Sequence, residues 1–246
     1  MQLWLCPLLA FLLGSIPFGL FIARMKGIDI RQHGSGNIGA TNVLRVVGKK
    51  HGIVCLILDA LKGCIPTLLA IALIRYEGQR TGTAIPALLD HAYVFGAADQ
   101  WKAQSFQVLT GLLSILGHNY SPWVGFKGGK GIATSAGVLL ALFPFFGVLL
   151  LVVIWFILFK TTRYVSVASI GAAAALPLIT HLGTRFHHVN NDKSLPTLWE
   201  AGTWNKPLFV FSVVIGGLAI WKHRTNIKRL LDGTESRFEP KKKATP

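Results

Sequence analysis

Apolar residues fall in long runs broken by short polar stretches. The runs cover roughly 3–23, 52–75, 106–118, 132–143, 145–159, 164–182 and 207–221. Runs of this length predict membrane helices, several of them short or tilted. The stretch from Ile132 to Phe159 is too long for one straight span and too short for two full ones, and Pro144 near its middle offers a break. No internal repeat is visible. The chain reads as a single membrane domain over residues 1–246, with a basic tail at about 236–246.

Charge decides how that stretch is counted. Lys and Arg cluster at 24–51, 117–130, 160–163 and 222–246, and these clusters hold 18 of the 25 basic residues. If 132–159 is a hairpin of two short helices, every cluster falls on one side, which the positive-inside rule makes cytoplasmic. The expectation is therefore an all-α integral membrane protein of seven helices, with the amino terminus outside and the carboxy terminus inside. Two loops at about 76–105 and 183–206 are left outside, nearly neutral. The apolar piece from Ile85 to Ala98 within the first is expected either as an interfacial helix or as plain loop. Leu3 to Ala23 lacks a basic region before it, so it reads as a retained helix and not as a cleaved signal.

Composition adds little more. A hydrophobic share of 52% excludes an ordinary soluble domain, and the net charge of +15 comes in short clusters with no groove-reading motif, against a nucleic-acid partner. Cys6, Cys55 and Cys64 lie in apolar stretches without metal-ligand or disulfide spacing and read as small core residues. No metal or cofactor is expected.

Three polar stretches on the inner side hold residue types suited to chemistry. The first runs from Gly34 through Ser35, Gly36, Asn37, Thr41 and Asn42 to Arg45. Small residues leading into a helix let backbone N–H groups converge on an anion. A helix beginning near Asn37 would place Asn37, Thr41 and Arg45 on one face, suited to a phosphate ester with free hydroxyls. A plain turn capped by Ser35 or Asn37 explains the same loop. The second stretch places Lys127, Gly128, Gly129, Lys130 and Gly131 directly before an apolar helix. Glycine admits an anion close to the backbone and lysine adds charge, although a basic turn touching lipid headgroups reads the same way. The third holds His223, Asn226, Arg229 and Glu235 behind the last apolar run. A basic stop-transfer flank accounts for its lysines but not for His223 and Asn226. Within the membrane, Asp59 and Lys62 stand three apart and are expected to pair near the cytoplasmic end. Ser166, after the turn from Lys160 to Arg163, is a further lining candidate, whereas Ser169 is expected to serve helix packing.

Together GSGNIGATNVLR, GHNYSPWVGFKGGKGIATSAG and HRTNIKRLLDGTE resemble the three cytoplasmic motifs of the bacterial acylphosphate:glycerol-3-phosphate acyltransferases, the PlsY family. The resemblance extends to Asp59–Gly63 and Arg163–Ile170. It implies a seven-helix enzyme of the inner membrane that uses no cofactor and moves an acyl chain from acyl phosphate to the 1-hydroxyl of glycerol 3-phosphate, giving lysophosphatidic acid. The implied partners are these substrates, membrane lipid and a soluble enzyme that makes the acyl phosphate. By the same resemblance Ser35 and Arg45 are essential, Lys127 to Gly131 form a phosphate loop, His223 and Asn226 act in the third motif, and Glu235 supports the structure. The proton acceptor stays open between a substrate phosphate and His223, with the phosphate favoured because no carboxylate is legible that would orient the histidine. An organic-phosphate transporter is the alternative, though its ligands would gather near the midplane. His187 and Asp192 match the HxxxxD pattern of a different acyltransferase class and read as coincidence.

Overall fold

The computed structural model describes residues 2–79, 86–189 and 206–238. Every apolar run is helical. The first is split into α1 (Gln2–Gly14) and α2 (Phe18–Arg24) by a turn ending at Pro17; then come α4 (Lys49–Leu73), α5 (Gln100–Asn119), α6 (Ile132–Leu142), α7 (Phe145–Thr162), α8 (Val165–Val189) and α9 (Lys206–Lys222). Two short helices complete the set, α3 (Ala40–Val46) in the first polar loop and α10 (Arg224–Leu231) after the last span. Among the described residues four helical segments are long and apolar enough to cross a membrane, α1 with α2 counted as one, or up to five if α9 and α10, bent by 51° between them, form one span. Helix α6 is short at 11 residues, and α5 spends its packed face on Gln107, Thr110, Ser114 and His118. The chain is thus a multi-pass helical membrane protein.

The first segment expected outside departs from the all-helical expectation. Ile74–Tyr76 (β1) pairs in parallel with Tyr93–Phe95 (β2), and Gln107 donates to the Ile74 carbonyl at 2.6 Å. The piece expected as interfacial helix or loop becomes a 3-10 turn over Pro86–His91 followed by β2, because its β-branched and aromatic residues find a partner strand. Polar residues at the start of α5 hide six helical residues from the apolar count, so the first of the two loops expected outside ends at Asp99 and not near 105. Helix α8 runs past the expected boundary at 183 to Val189. Residues 190–205, with Asp192 of the HxxxxD match, lie outside the described residues, as do the side chain of His187 and most of the basic tail.

Glycine sets how closely the helices meet. A Cβ on Gly14 of α1 would lie 2.2 Å from the Ser114 carbonyl oxygen of α5, one on Gly117 of α5 would lie 2.3 Å from that of Phe11, and one on Gly137 of α6 would lie 1.9 Å from that of Ala60 of α4. Without an aqueous driving force between spans, such backbone contact is a main source of cohesion. One apolar cluster joins α5 to α9 through Ile115, Leu139, Leu151, Leu176 and Ile215. A second, of Leu20, Ile30, Val43 and Cys55, lies under the first polar loop. Helix α7 keeps most of its apolar surface exposed, including Phe145, Phe146, Val153 and Phe156, which suits a helix that faces lipid.

Candidate active site

Asn42 shapes the first loop. It is buried, its Oδ1 accepts from the Ser35 N–H at 3.0 Å, and its Nδ2 faces the carbonyls of His33 at 3.0 Å and Asn37 at 2.9 Å. Expected as a substrate ligand, Asn42 lines the larger cavity and also staples the loop with its amide. Helix α3 begins at Ala40, so Asn37 lies before it and not on its face; the Asn37 Oδ1 accepts from the Gly39 N–H at 2.8 Å. Thr41 and Arg45 do share the helix and line one cavity with Ser35 and Asn37.

The second loop folds back on the end of α5. A Cβ on Gly129 would lie 2.0 Å from the His118 Nε2, and one on Gly128 2.0 Å from the His118 carbonyl oxygen. Gly131 precedes α6 with φ 80°, where a side chain would be strained. Packing therefore requires these glycines, beyond any need for close anion approach. Lys222 donates to the Asn119 carbonyl at 2.9 Å and lies 4.5 Å from the Tyr120 ring, tying the end of α9 to this loop, a role a stop-transfer lysine does not need.

Glu235 organises the third segment. Its Oε1 accepts from Ser166 at 2.8 Å and from Asn226 at 2.6 Å, and its Oε2 accepts from Arg229 at 2.7 Å. Burial pushes its carboxyl up, but the three hydrogen bonds prevail and hold it below the usual carboxylate value. Asn226 in turn accepts from the Lys130 ammonium. Burial lowers Lys130 to about 8, with Glu235 opposing and the nearby Arg229, Arg45 and Lys222 assisting. At the bend between α9 and α10, the His223 Nδ1 lies 2.7 Å from the Ala219 carbonyl oxygen. A carbonyl only accepts, so Nδ1 carries the proton and Nε2 keeps its lone pair. The orienting group absent from the sequence pattern is thus a backbone atom.

These side chains ring the mouth of a cavity of about 460 Å³. Its polar end holds Ser35, Thr41, Arg45, Lys130, His223 and Asn226, and its inner part is walled by Leu139, Val148, Leu151, Trp155, Leu176 and Ile215. A second, polar hollow of about 130 Å³ adjoins it, lined by Ser35, Gly36, Lys127, Gly128, Lys130, Thr225 and Arg229. Thr225, which sequence reasoning left out, and Arg229, which it noted in the third stretch without a role, stand four apart on α10, and that same-face spacing was the available signal. Asp59 and His118 also line the larger cavity. Asp59 and Lys62 pair at 2.8 Å, both side chains 3% exposed, while Lys62 donates to the Ile16 carbonyl at 2.7 Å in the break between α1 and α2. Gly129 is the one phosphate-loop candidate that faces neither hollow.

Fold and site define a class: a membrane-embedded transferase whose cation-rimmed polar mouth opens into an apolar slot. Residues 4–233 match the family model described as glycerol-3-phosphate acyltransferase. The chain is similar to the glycerol-3-phosphate acyltransferases of Aquifex aeolicus, 42% identical over 93% of this chain and 95% of that one, and of Geobacter sulfurreducens, 41% identical over 94% of each. Among solved structures it is similar to PlsY, an integral membrane glycerol 3-phosphate acyltransferase. The glycerol 3-phosphate form has TM-score 0.70 and 38% identity over 97% of this chain and 96% of that one. The lysophosphatidic acid form has TM-score 0.70 and 37% identity over the same shares. The chain belongs to the glycerol-3-phosphate acyltransferase family, and this membership sets the transporter reading aside.

Proposed function

We propose that this protein transfers a fatty acyl group from acyl phosphate to the 1-hydroxyl of glycerol 3-phosphate, releasing lysophosphatidic acid and phosphate. The observation that carries this is the junction of a mouth bearing Arg45 and Lys130 with an apolar slot in one cavity. Glycerol 3-phosphate needs partners for its hydroxyls as well as its phosphate, and Thr41, His223 and Asn226 stand beside Arg45 in the larger cavity. The small hollow, rich in N–H and cationic donors, suits a phosphate that has only to be held and released. The acyl chain then lies along the slot, with its carbonyl between the two phosphates.

An acyl phosphate is already activated, so the task is to hold two anions together and to stabilise charge on the attacked carbonyl oxygen. The 1-hydroxyl oxygen bonds to the carbonyl carbon, the bond from that carbon to the phosphate oxygen breaks, and phosphate leaves. His223 Nε2 accepts a hydrogen bond from the hydroxyl and aims it. Burial disfavours an imidazolium, with Lys130 assisting and the Ala219 carbonyl and Glu235 opposing, so the proton passes to the departing phosphate. Seven spans, with the site at the cytoplasmic face of the bacterial inner membrane, are supported by the basic clusters and by the helical state of all seven apolar runs. There a soluble donor-making enzyme delivers the acyl phosphate.

The test supplies purified protein with labelled glycerol 3-phosphate and, separately, acyl phosphate, acyl carrier protein thioester or acyl-CoA. Product from acyl phosphate alone is expected; product only from the thioesters would overturn the donor assignment.

A further inference from the structure

We propose that Phe238 is a positioning residue for Arg45, and that residues 236–238 form a strap across the mouth of the cavity. This rests on the reading of Arg45 as a substrate-phosphate ligand. The strap lies just past the stretch matched by the family model, which ends at residue 233.

Arg45 projects from the short helix α3, and among the described residues no carboxylate lies within ion-pair distance of it, Glu235 acting on it only from further off. What it touches is the strap: its Nη2 donates to the Ser236 carbonyl at 3.1 Å, and its guanidinium carbon lies 5.1 Å from the centre of the Phe238 ring. The strap is itself held from the other side of the cavity. The Phe238 N–H donates to the Arg163 carbonyl at 2.9 Å in the turn between α7 and α8. The Phe238 ring meets Phe159 edge to face at 5.6 Å, and Arg237 donates to the Thr162 carbonyl at 3.3 Å. One ring therefore joins the end of α7 to the arginine of α3.

The chemistry of this hold matters. A carboxylate would neutralise Arg45 and compete with a phosphate, whereas a ring face and a single carbonyl fix the plane and leave the charge and most of the five N–H donors free. The side chain is thus ordered before substrate arrives, which lowers the entropic cost of binding.

Three variants test this: Phe238→Leu, which keeps an apolar side chain but removes the π face, Phe238→Tyr, which keeps both, and Arg45→Ala. Phe238→Leu is expected to raise KM for glycerol 3-phosphate about two- to five-fold, with kcat and the unfolding temperature in detergent close to the parent. Phe238→Tyr should behave as the parent. Unchanged KM in Phe238→Leu, or equal losses in the Leu and Tyr variants, would overturn the inference, as would a fall in kcat alone. If Arg45→Ala kept full activity, the underlying site reading would fall with it; if Arg45→Ala lost activity while Phe238→Leu did not move KM, the strap alone would be wrong.

Discussion

Lys130 donates a hydrogen bond to Asn226, 96 residues further along the chain. The contact joins the second polar loop to α10, and because Asn226 also donates to Glu235 it couples a cation of the cavity lining to the carboxylate that organises the site.

Asn226→Ala removes the bridge and leaves both charges without a partner they now have. A hydrogen bond to a charged group contributes about 1.5–3 kcal/mol, so kcat/KM is expected to fall roughly 10- to 100-fold. Steady-state kinetics with both substrates check this, and a fall of less than three-fold would remove Asn226 from the site.

Lys130 gives the enzyme an alkaline limb. Buried beside other cations, its ammonium titrates at about 8, so its charge is present below that pH and lost above it. A substrate phosphate ester, with a second pKa near 6, is already a dianion there. Accordingly kcat/KM, which reports the free enzyme, should decline as pH rises through about 8. Lys130→Arg, charged throughout, should flatten that limb. A profile level to pH 10 in the parent protein would contradict the assignment.

The Asp59–Lys62 pair is expected to reveal itself in stability. With both side chains 3% exposed, Asp59→Asn strands a buried ammonium, a loss of about 3–5 kcal/mol. Thermal unfolding in detergent should show a large drop for this variant. Asp59→Asn combined with Lys62→Met should recover much of it, and no recovery in the double variant would mean that the pair is not what the single change breaks.

Two glycines offer a contrast in packing. Gly137→Ala drives a Cβ into the Ala60 carbonyl oxygen, 1.9 Å away, whereas Gly217 has nothing within 4 Å. Overpacking of this kind costs about 1–3 kcal/mol. The first variant should unfold at lower temperature and the second should not, as measured by the same melts.

Apolar run length made seven helical segments legible, because spans must satisfy their own backbone. It failed where polarity and structure part company: the early turns of α5, and the β1–β2 pair, whose six residues carry no pattern long enough to read. In the site, residue types placed Ser35, Arg45, Lys130 and Asn226 together, since anion chemistry limits the choice. What they did not reveal was the function of Asn42 as a loop staple, the packing of Gly128 and Gly129 on His118, and the Ala219 carbonyl behind His223. Each of these depends on a backbone atom that any residue supplies, so no side-chain pattern records it.

The cluster around Glu235 draws on four separate parts of the chain: Ser166 opens α8, Lys130 precedes α6, Asn226 and Arg229 lie on α10, and Arg45 on α3 reaches across to Ser236. No single hairpin carries a working fraction of it. A chain that has inserted only its first helices is therefore catalytically silent, and turnover by this protein doubles as a report that membrane assembly has run to the last span.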